Sequence, residues 1–162
     1  MIMPQTPDAK LQSLGLTIPE APSPSGAYVP VKRVGDLLFV SGQGPLVRGR
    51  PTVVGKVDAD VSVETAQDAA RICVLNCLGA VLGELSCLSG VKEIVQVRGF
   101  VNSSENFFQQ ARVLDAASEL LLDIFGEAGR HARAAVGVAS LPLCIPVEIE
   151  MVVRASQQQV QE

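Results

Sequence analysis

Two extended runs interrupted by prolines make up residues 131–154, HARAAVGVASLPLCIPVEIEMVVR. After Arg133, residues 134–140 are all small or β-branched, which favours an extended strand. Pro142 and Pro146 then end the ladder, because proline has no backbone N–H to donate. The segment therefore predicts a strand, a proline-bounded turn and a second strand.

In the second of these strands, residues 147–153, successive side chains alternate between two faces, and Val152 falls on the same face as the two glutamates. Because side chains along a strand point to opposite faces in turn, Glu148 and Glu150 share one face. The other face is apolar and consists of Val147, Ile149, Met151 and Val153. This strand is therefore predicted to bury one face in the core and to present two neighbouring carboxylates on the other.

Two helices with an apolar face are predicted in the middle of the chain. Ser62 caps the first one, whose apolar positions are Ala66, Ala69, Ala70, Cys73, Val74, Cys77, Leu78, Val81, Leu82 and Leu85. The second follows Ser103 and Ser104 and ends at Gly126 and Gly129, since glycine commonly terminates helices. Its apolar face consists of Phe108, Ala111, Leu114, Ala117, Leu120, Leu121, Ile124 and Phe125.

The remaining strands come from the first half of the chain and from its centre. Residues 27–34 and 36–41 predict a hairpin that turns at Gly35-Asp36. A short edge strand is predicted for residues 52–57 and a longer strand for residues 94–101. The bend at residues 41–45, SGQGP, can leave backbone N–H groups free for a small anion or carbonyl, and a plain β-bulge or turn is the alternative interpretation.

The order hairpin, helix, strand, helix, strand, strand predicts an α+β fold with a mixed sheet of five or six strands. Two helices cannot cover both faces of such a sheet, so we expect both on one face. We expect the other face to carry Glu148, Glu150 and Arg133, with Ala135 and Gly137 beside them. Such a face is too polar for a core and too apolar for plain surface, which predicts contact with further copies of the chain in a closed ring.

Length and charge limit the possible functions. The chain has 162 residues and a net charge of −4, and its pI is about 5.0. Its size predicts one domain, residues 26–155, between an N-terminal extension of residues 1–25 and a tail of residues 156–162. Dispersed basic residues in an acidic chain argue against nucleic acid as the main ligand. No apolar run is long enough to span a membrane and no signal sequence is evident, so we expect a cytoplasmic protein.

The cysteines and the histidine of the sequence limit which metal sites and catalytic groups the chain can form. Cys73 and Cys77 lie on the apolar face of the first helix, where cysteine acts as a small hydrophobic residue rather than as a metal ligand. His131 is the only histidine in the sequence. We therefore expect neither a histidine metal site nor a Ser-His-Asp triad within one chain, and we expect no cofactor.

Several short motifs in this order and spacing resemble the RidA/YjgF family of reactive-intermediate deaminases, also described as L-PSP endoribonucleases. The resemblance covers residues 28–154. Its motifs are Tyr28-Val29, Ser41-Gly42-Gln43 with Pro45, Val97-Arg98-Gly99-Phe100-Val101, and Arg133 followed nine residues later by Pro142 and then Val147-Glu148-Ile149-Glu150.

The resemblance implies a chorismate-mutase-like fold and a homotrimer with clefts between subunits. It implies that Arg133 binds the carboxylate of the substrate, that Glu148 orients a water molecule, and that Tyr28, Gly42 and the residue at Ala135 line the cleft. The implied substrates are small imino or enamino acids such as 2-aminoacrylate, which are hydrolysed to a 2-keto acid and ammonia without a cofactor.

The chemistry of such a substrate suits these residue types. A guanidinium binds a planar carboxylate through two parallel hydrogen bonds, and the C=N carbon is already electrophilic, so one positioned water is sufficient. The structural alternative is that Arg133 forms an ion pair with Glu148 or Glu150, across strands or across a subunit boundary.

Two positions depart from the family pattern. Ala135 and Gly137 stand where the deaminases usually have a cysteine and a glutamate, which indicates a divergent branch. Two other functions therefore remain: a non-catalytic protein that binds small carboxylates or keto acids in the same cleft, and an endoribonuclease, which the acidic pI disfavours.

Overall fold

The computed structural model describes residues 5–20, 23 and 26–157. Parts of the predicted extension (residues 1–4, 21, 22, 24 and 25) and of the predicted tail (residues 158–162) lie outside the described residues. The helices are α1 (Pro7–Ser13), α2 (Val63–Leu82) and α3 (Gln110–Phe125). The strands are β1 (Val31–Val34), β2 (Leu37–Gln43), β3 (Leu46–Val47), β4 (Arg50–Pro51), β5 (Val91–Asn102), β6 (Ala132–Val138) and β7 (Val147–Ala155).

A five-stranded mixed sheet with the order β1-β2-β7-β5-β6 forms the centre of the molecule. Its only parallel pair within the described residues is β5–β6, and its other neighbours are antiparallel. The short strands β3 and β4 pair separately. The predicted α+β fold with a mixed sheet of five or six strands is confirmed.

The two long helices pack against one face of this sheet, as predicted. In β7 every second side chain is buried beneath them, with Val147, Ile149 and Val153 fully inaccessible to solvent. The facing residues of the helices include Val74 and Leu78 of α2, which are equally inaccessible. Burial of this apolar surface is the main source of folding free energy in such a layered domain.

The predicted helix ends are largely correct. Oγ of Ser62 accepts a hydrogen bond from the backbone N–H of Thr65 at 3.1 Å, which caps α2. Helix α3 ends at Gly126, whose φ of 59° lies in the left-handed region that glycine adopts without strain. A proline-bounded turn, Pro142–Cys144, connects β6 and β7 as predicted, and Leu143 and Cys144 in it have positive φ angles of 57° and 55°.

Two sequence predictions about local structure are wrong. Phe108 does not face the core: 82% of it is exposed, and Phe107 is buried instead, because α3 begins only at Gln110 and a turn precedes it. Residues 52–57 do not form an edge strand. Gly55 has a φ of 121°, which breaks an extended run, and the strand β4 lies just before it.

The N-terminal segment packs on the domain through α1. Leu11 is buried in the core, and α1 contacts α3. The carboxylate of Asp8 accepts hydrogen bonds from the backbone N–H of Leu88 and the hydroxyl of Ser89, each at 3.2 Å. The N-terminal extension therefore contributes a short helix that packs on its own chain.

The core contains both cysteines that were predicted to be structural. Cys73 and Cys77 are fully buried in α2, and burial raises the pKa of both thiols, so they remain uncharged. Cys87 and Cys144 are exposed. No helix in the described part of the chain is long and apolar enough to cross a membrane.

Asn76 fixes the bend after β2 to the helical layer. It is a buried polar residue of α2, and its side-chain amide donates hydrogen bonds to the carbonyls of Gly44 at 2.9 Å and Leu46 at 3.0 Å. The predicted SGQGP bend is therefore held from beneath by a side chain of the helix.

Replacing Asn76 by alanine is expected to destabilise the protein by about 2–4 kcal/mol, because the carbonyls of Gly44 and Leu46 lose the hydrogen bonds from its amide and a small cavity forms. Urea unfolding followed by circular dichroism measures this change. Asn106→Ala is the matched control, since Asn106 is exposed, and it should change the free energy of unfolding by less than about 0.5 kcal/mol. Equal effects of the two substitutions would contradict the anchoring role of Asn76.

Candidate functional site

The sheet face opposite the helices is open in the described chain and carries both polar and apolar side chains. Pairing places Glu150 beside Arg98 and Glu148 beside Phe100, all on this face. Phe39 pairs with Val152 in the same layer and is 44% exposed. An aromatic residue this exposed beside charged groups is typical of a surface that meets a ligand or another protein.

A shallow groove of about 390 Å³ crosses this open face. Tyr28, Lys32 and Phe39 line one side of it, and Arg98 and Glu150 line the other. Nη2 of Arg98 lies 2.5 Å from Oε1 of Glu150, so one of the two carboxylates predicted on β7 has an ion-pair partner. The groove therefore presents Lys32 as a cation without an ion-pair partner among the described residues.

Glu148 differs from Glu150 because it has no ion-pair partner within the described residues. Its side chain lies over Gly42 of β2: a Cβ at position 42 would overlap Oε1 of Glu148 and lie 3.0 Å from its Cδ. Half-burial raises the pKa of the Glu148 carboxyl above its ordinary value, and the charge of Glu150 raises it further. A carboxylate with a raised pKa is a stronger base than an ordinary one.

Arg133 does not lie on the open face, and this prediction is wrong. The parallel pairing of β5 and β6 sets Arg133 opposite Val97, a fully buried residue of the helix face. Since directly paired residues point to the same side of a sheet, Arg133 also points to the side of the helices. One chain thus places Arg133 and Glu148 on opposite faces of its sheet.

On the helix side, Arg133 contacts α3. Its Nη1 donates to Oδ1 of Asp115 at 2.9 Å and to Oγ of Ser118 at 3.1 Å. Within the described chain, the ion pair that was anticipated with Glu148 or Glu150 is therefore made with Asp115 instead. The guanidinium lies at the sheet edge, because β6 is the last strand in the sheet order.

The other predicted site residues divide between the two faces. Tyr28 is half-exposed beside the groove, and Gly42 lies beneath Glu148. Ala135 pairs with Gly99 on the helix side and packs against the core. Glu148, Gly42 and Tyr28 thus share the open face, whereas Arg133 and Ala135 share the other.

Sequence reasoning missed the partners of both charged groups. The sequence shows Arg98 only as part of a motif and does not predict that its strand places it beside Glu150. Asp115 and Ser118 lie three residues apart on α3. This spacing puts two polar side chains on one side of a helix and could have predicted a shared polar partner. Among the described residues, no three His, Cys, Asp or Glu side chains lie close enough together to hold a metal ion.

The sequence and the fold identify the class of protein. Residues 8–151 match the family described as YjgF/chorismate mutase-like, putative endoribonuclease, and the chain belongs to this family. The predicted resemblance to RidA/YjgF proteins and the chorismate-mutase-like fold are both confirmed.

Individual relatives support this assignment. Protein TCP17 of Trypanosoma cruzi is 42% identical over 146 residues, which cover 90% of this chain and 91% of that protein. The crystal structure of Atu1372, a protein of unknown function from Agrobacterium tumefaciens, has a TM-score of 0.87 at 42% identity and covers 93% of this chain and 92% of its own. A 2-iminobutanoate/2-iminopropanoate deaminase of Dermatophagoides farinae is 29% identical over 139 residues, which cover 85% of this chain and 93% of that protein.

The raised pKa of Glu148 predicts a pH-dependent effect of Glu148→Gln on stability. The folded chain binds a proton at Glu148 more tightly than the unfolded chain, so wild-type stability falls as pH rises from the unfolded value, about 4.3, through the raised folded value. Glutamine has no charge to desolvate. The variant should therefore have a higher Tm than the wild type at pH 7, and the difference should vanish below about pH 4.

Glu93→Gln is the matched control, because a hydrogen bond from Arg154 and its positive charge lower the pKa of Glu93. The sign of its effect should be reversed: Glu93→Gln should not raise the Tm at pH 7. Differential scanning fluorimetry between pH 4 and pH 8 measures both variants. A lower Tm of Glu148→Gln at pH 7 would show that the fold stabilises the Glu148 anion.

Proposed function

We propose that this protein hydrolyses small reactive imino and enamino acids, of the 2-aminoacrylate type, to 2-keto acids and ammonia. The observation that carries the proposal is the half-buried Glu148 carboxyl, whose pKa is raised and which has no ion-pair partner among the described residues. Such a group can take a proton from water at neutral pH, which a solvated, ion-paired carboxylate does less well. The distant similarity to an imine deaminase supports the same reaction.

Arg133 is the proposed binding group for the carboxylate of the substrate. Asp115 and Ser118 contact only its Nη1, so Nε and Nη2 have no hydrogen-bond partner within the described chain. These two nitrogens form one edge of the guanidinium, which matches the two oxygens of a carboxylate. The ion pair with Asp115 therefore leaves the arginine available to an anionic substrate.

The proposed reaction needs only water as a second reactant. Water adds to the C=N carbon of the protonated imine while Glu148 accepts one of its protons, which gives a neutral tetrahedral carbinolamine. Glu148 then returns that proton to the nitrogen. As the C–N bond breaks and ammonia leaves, the hydroxyl of the carbinolamine gives its proton to Glu148 and becomes the C=O of the keto acid, and Glu148 releases this proton to water or to the ammonia. An enamino acid becomes the protonated imine by taking up a proton from water at carbon. Positioning of the acid and the water adds to the acceleration that Glu148 provides as a base.

A site that uses both groups requires more than one copy of the chain, because Arg133 and Glu148 lie on opposite faces of one sheet. We propose a homotrimer in which the edge strand β6 of one subunit brings Arg133 to the open face of the next. The exposed apolar side chains of that face, which include Phe39 and Val136, support such an assembly.

Purified protein should release ammonia from freshly generated 2-iminobutyrate faster than buffer does. Arg133→Ala should lower kcat/KM by at least about tenfold, since a charge-assisted bidentate contact is lost, and Glu148→Gln should lower kcat by about 10²–10⁴-fold, since the base is lost. Glu93→Gln removes a carboxylate on the same face, paired with Arg154, and is the control that should retain full activity. Equal ammonia release with and without protein would reject the proposed reaction.

The oligomeric state tests the proposed assembly separately. Light scattering after size exclusion should give about 51 kDa, three times the 17.1 kDa chain. Phe39→Glu should dissociate the assembly, because it puts a charge into the contact face. Val54→Glu is the control: Val54 is 55% exposed but lies outside the sheet. An unchanged mass for Phe39→Glu would show that the open face is not the contact.

A non-catalytic protein that binds small carboxylates is the second candidate. Ala135 and Gly137 favour it, because neither brings a polar side chain to the neighbourhood of Arg133. It predicts that 2-ketobutyrate raises the Tm while ammonia release stays at the level of buffer. Ribonuclease activity, which the family description suggests, fits a chain with a net charge of −4 less well.

A further inference from the structure

A chain of hydrogen bonds connects Arg133 to the only histidine of the protein. Nδ1 of His131 lies 2.6 Å from the carbonyl oxygen of Gly129, and Nε2 lies 3.0 Å from Oγ of Ser118. Oγ of Ser118 in turn accepts from Nη1 of Arg133 at 3.1 Å. Neither His131 nor Ser118 belongs to the sequence motifs that relate this chain to its family.

The carbonyl of Gly129 decides which way these hydrogen bonds run. A carbonyl oxygen can only accept, so Nδ1 of His131 must carry a proton. In the neutral imidazole Nε2 is then an acceptor, and the hydroxyl of Ser118 donates to it. With its hydrogen committed to His131, Ser118 presents its lone pairs to Arg133. Each polar atom in this series of hydrogen bonds therefore acts either as a donor or as an acceptor. The carbonyl of Gly129 determines these roles as far as the guanidinium of Arg133.

The same contacts fix the plane of the guanidinium. Asp115 and Ser118, both on α3, accept from the same nitrogen, Nη1, so the head group is held from one side. The edge formed by Nε and Nη2 keeps no partner in the described part of the chain. An arginine without the second contact could rotate about its ion pair with Asp115, because a single charged contact does not fix the plane.

We propose that Ser118 and His131 are positioning residues that hold Arg133 in the orientation that receives the carboxylate of the substrate. The proposal rests on the proposed function, since it assigns these residues to the carboxylate-binding half of that site. It also gives the single histidine a role that requires no proton transfer to the substrate. The alternative is that both residues only fasten the start of β6 to α3.

Two pairs of variants separate these roles. Ser118→Ala removes the acceptor for Arg133, whereas Ser118→Thr keeps a hydroxyl at the same place. His131→Phe removes the acceptor for Ser118, whereas His131→Gln keeps an amide oxygen that can accept. The probe is 2-ketobutyrate, a stable keto acid, and isothermal titration calorimetry measures its Kd. Fluorimetry of each variant shows whether it is folded.

Ser118→Ala is expected to raise the Kd of 2-ketobutyrate about three- to tenfold, the effect of losing one hydrogen bond to a charged group. Ser118→Thr should stay within about twofold of the wild type, and His131→Phe should raise the Kd more than His131→Gln does. A lower Tm of Ser118→Ala with an unchanged Kd would overturn the proposal. It would show that Ser118 only fastens the start of β6 to α3.

A second readout follows the arginine itself. The Nε–H cross-peak of Arg133 in a ¹H–¹⁵N NMR spectrum is identified by its loss in Arg133→Lys. Ser118→Ala should move or broaden this peak, while Ser118→Thr should leave it in place. If the peak is unchanged in both, Ser118 does not orient Arg133 and the proposal is wrong.

The two readouts also keep this proposal distinct from the proposed function. If Arg133→Ala leaves the Kd of 2-ketobutyrate unchanged, Arg133 is not the carboxylate-binding group and that part of the proposed function fails. If Arg133→Ala raises the Kd while Ser118→Ala and His131→Phe do not, only the positioning role fails.

Discussion

The register of β7 is the constraint on which the rest of the structure depends. This strand lies between β2 and β5, and its alternate side chains fill the core while Glu148 and Glu150 point away from it. A slip of one residue would turn both carboxylates into the apolar layer, where unpaired charges are very costly. The same register sets Glu148 over Gly42 and Glu150 beside Arg98. The fold and the charge pattern of the open face are therefore fixed together.

A second constraint comes from the parallel pairing of β6. It puts Arg133 on the helix side, where Asp115 and Ser118 of α3 hold one nitrogen of the guanidinium. The fold thus affects the two charged groups of the family resemblance, Glu148 and Arg133, in different ways. Glu148 is tuned by burial and by a like charge, whereas Arg133 is oriented by hydrogen bonds. Within one chain, the pKa of Glu148 and the orientation of Arg133 do not depend on each other.

The sequence predicted the parts of the fold in which periodicity is strong. The alternation of β7, the cap at Ser62 and the end of α3 at Gly126 all follow from local rules and were correct. The face of Arg133 could not be predicted, because β6 consists mostly of small residues and has no alternation that would give its phase. That phase is set by pairing with β5, which is a property of the tertiary structure. Likewise, the turn before α3 leaves Phe108 exposed, which the helical pattern of the sequence did not predict.

The lack of large side chains on β6 has a further consequence. This strand is the last in the sheet, so its outer backbone N–H and C=O groups have no strand partner within the described chain, and its small side chains shield them poorly. An open edge of this kind can template the addition of another strand. A contact that covers β6 would thus protect the protein from indiscriminate self-association as well as complete a cleft. Selection for solubility and selection for chemistry would then act on the same few residues.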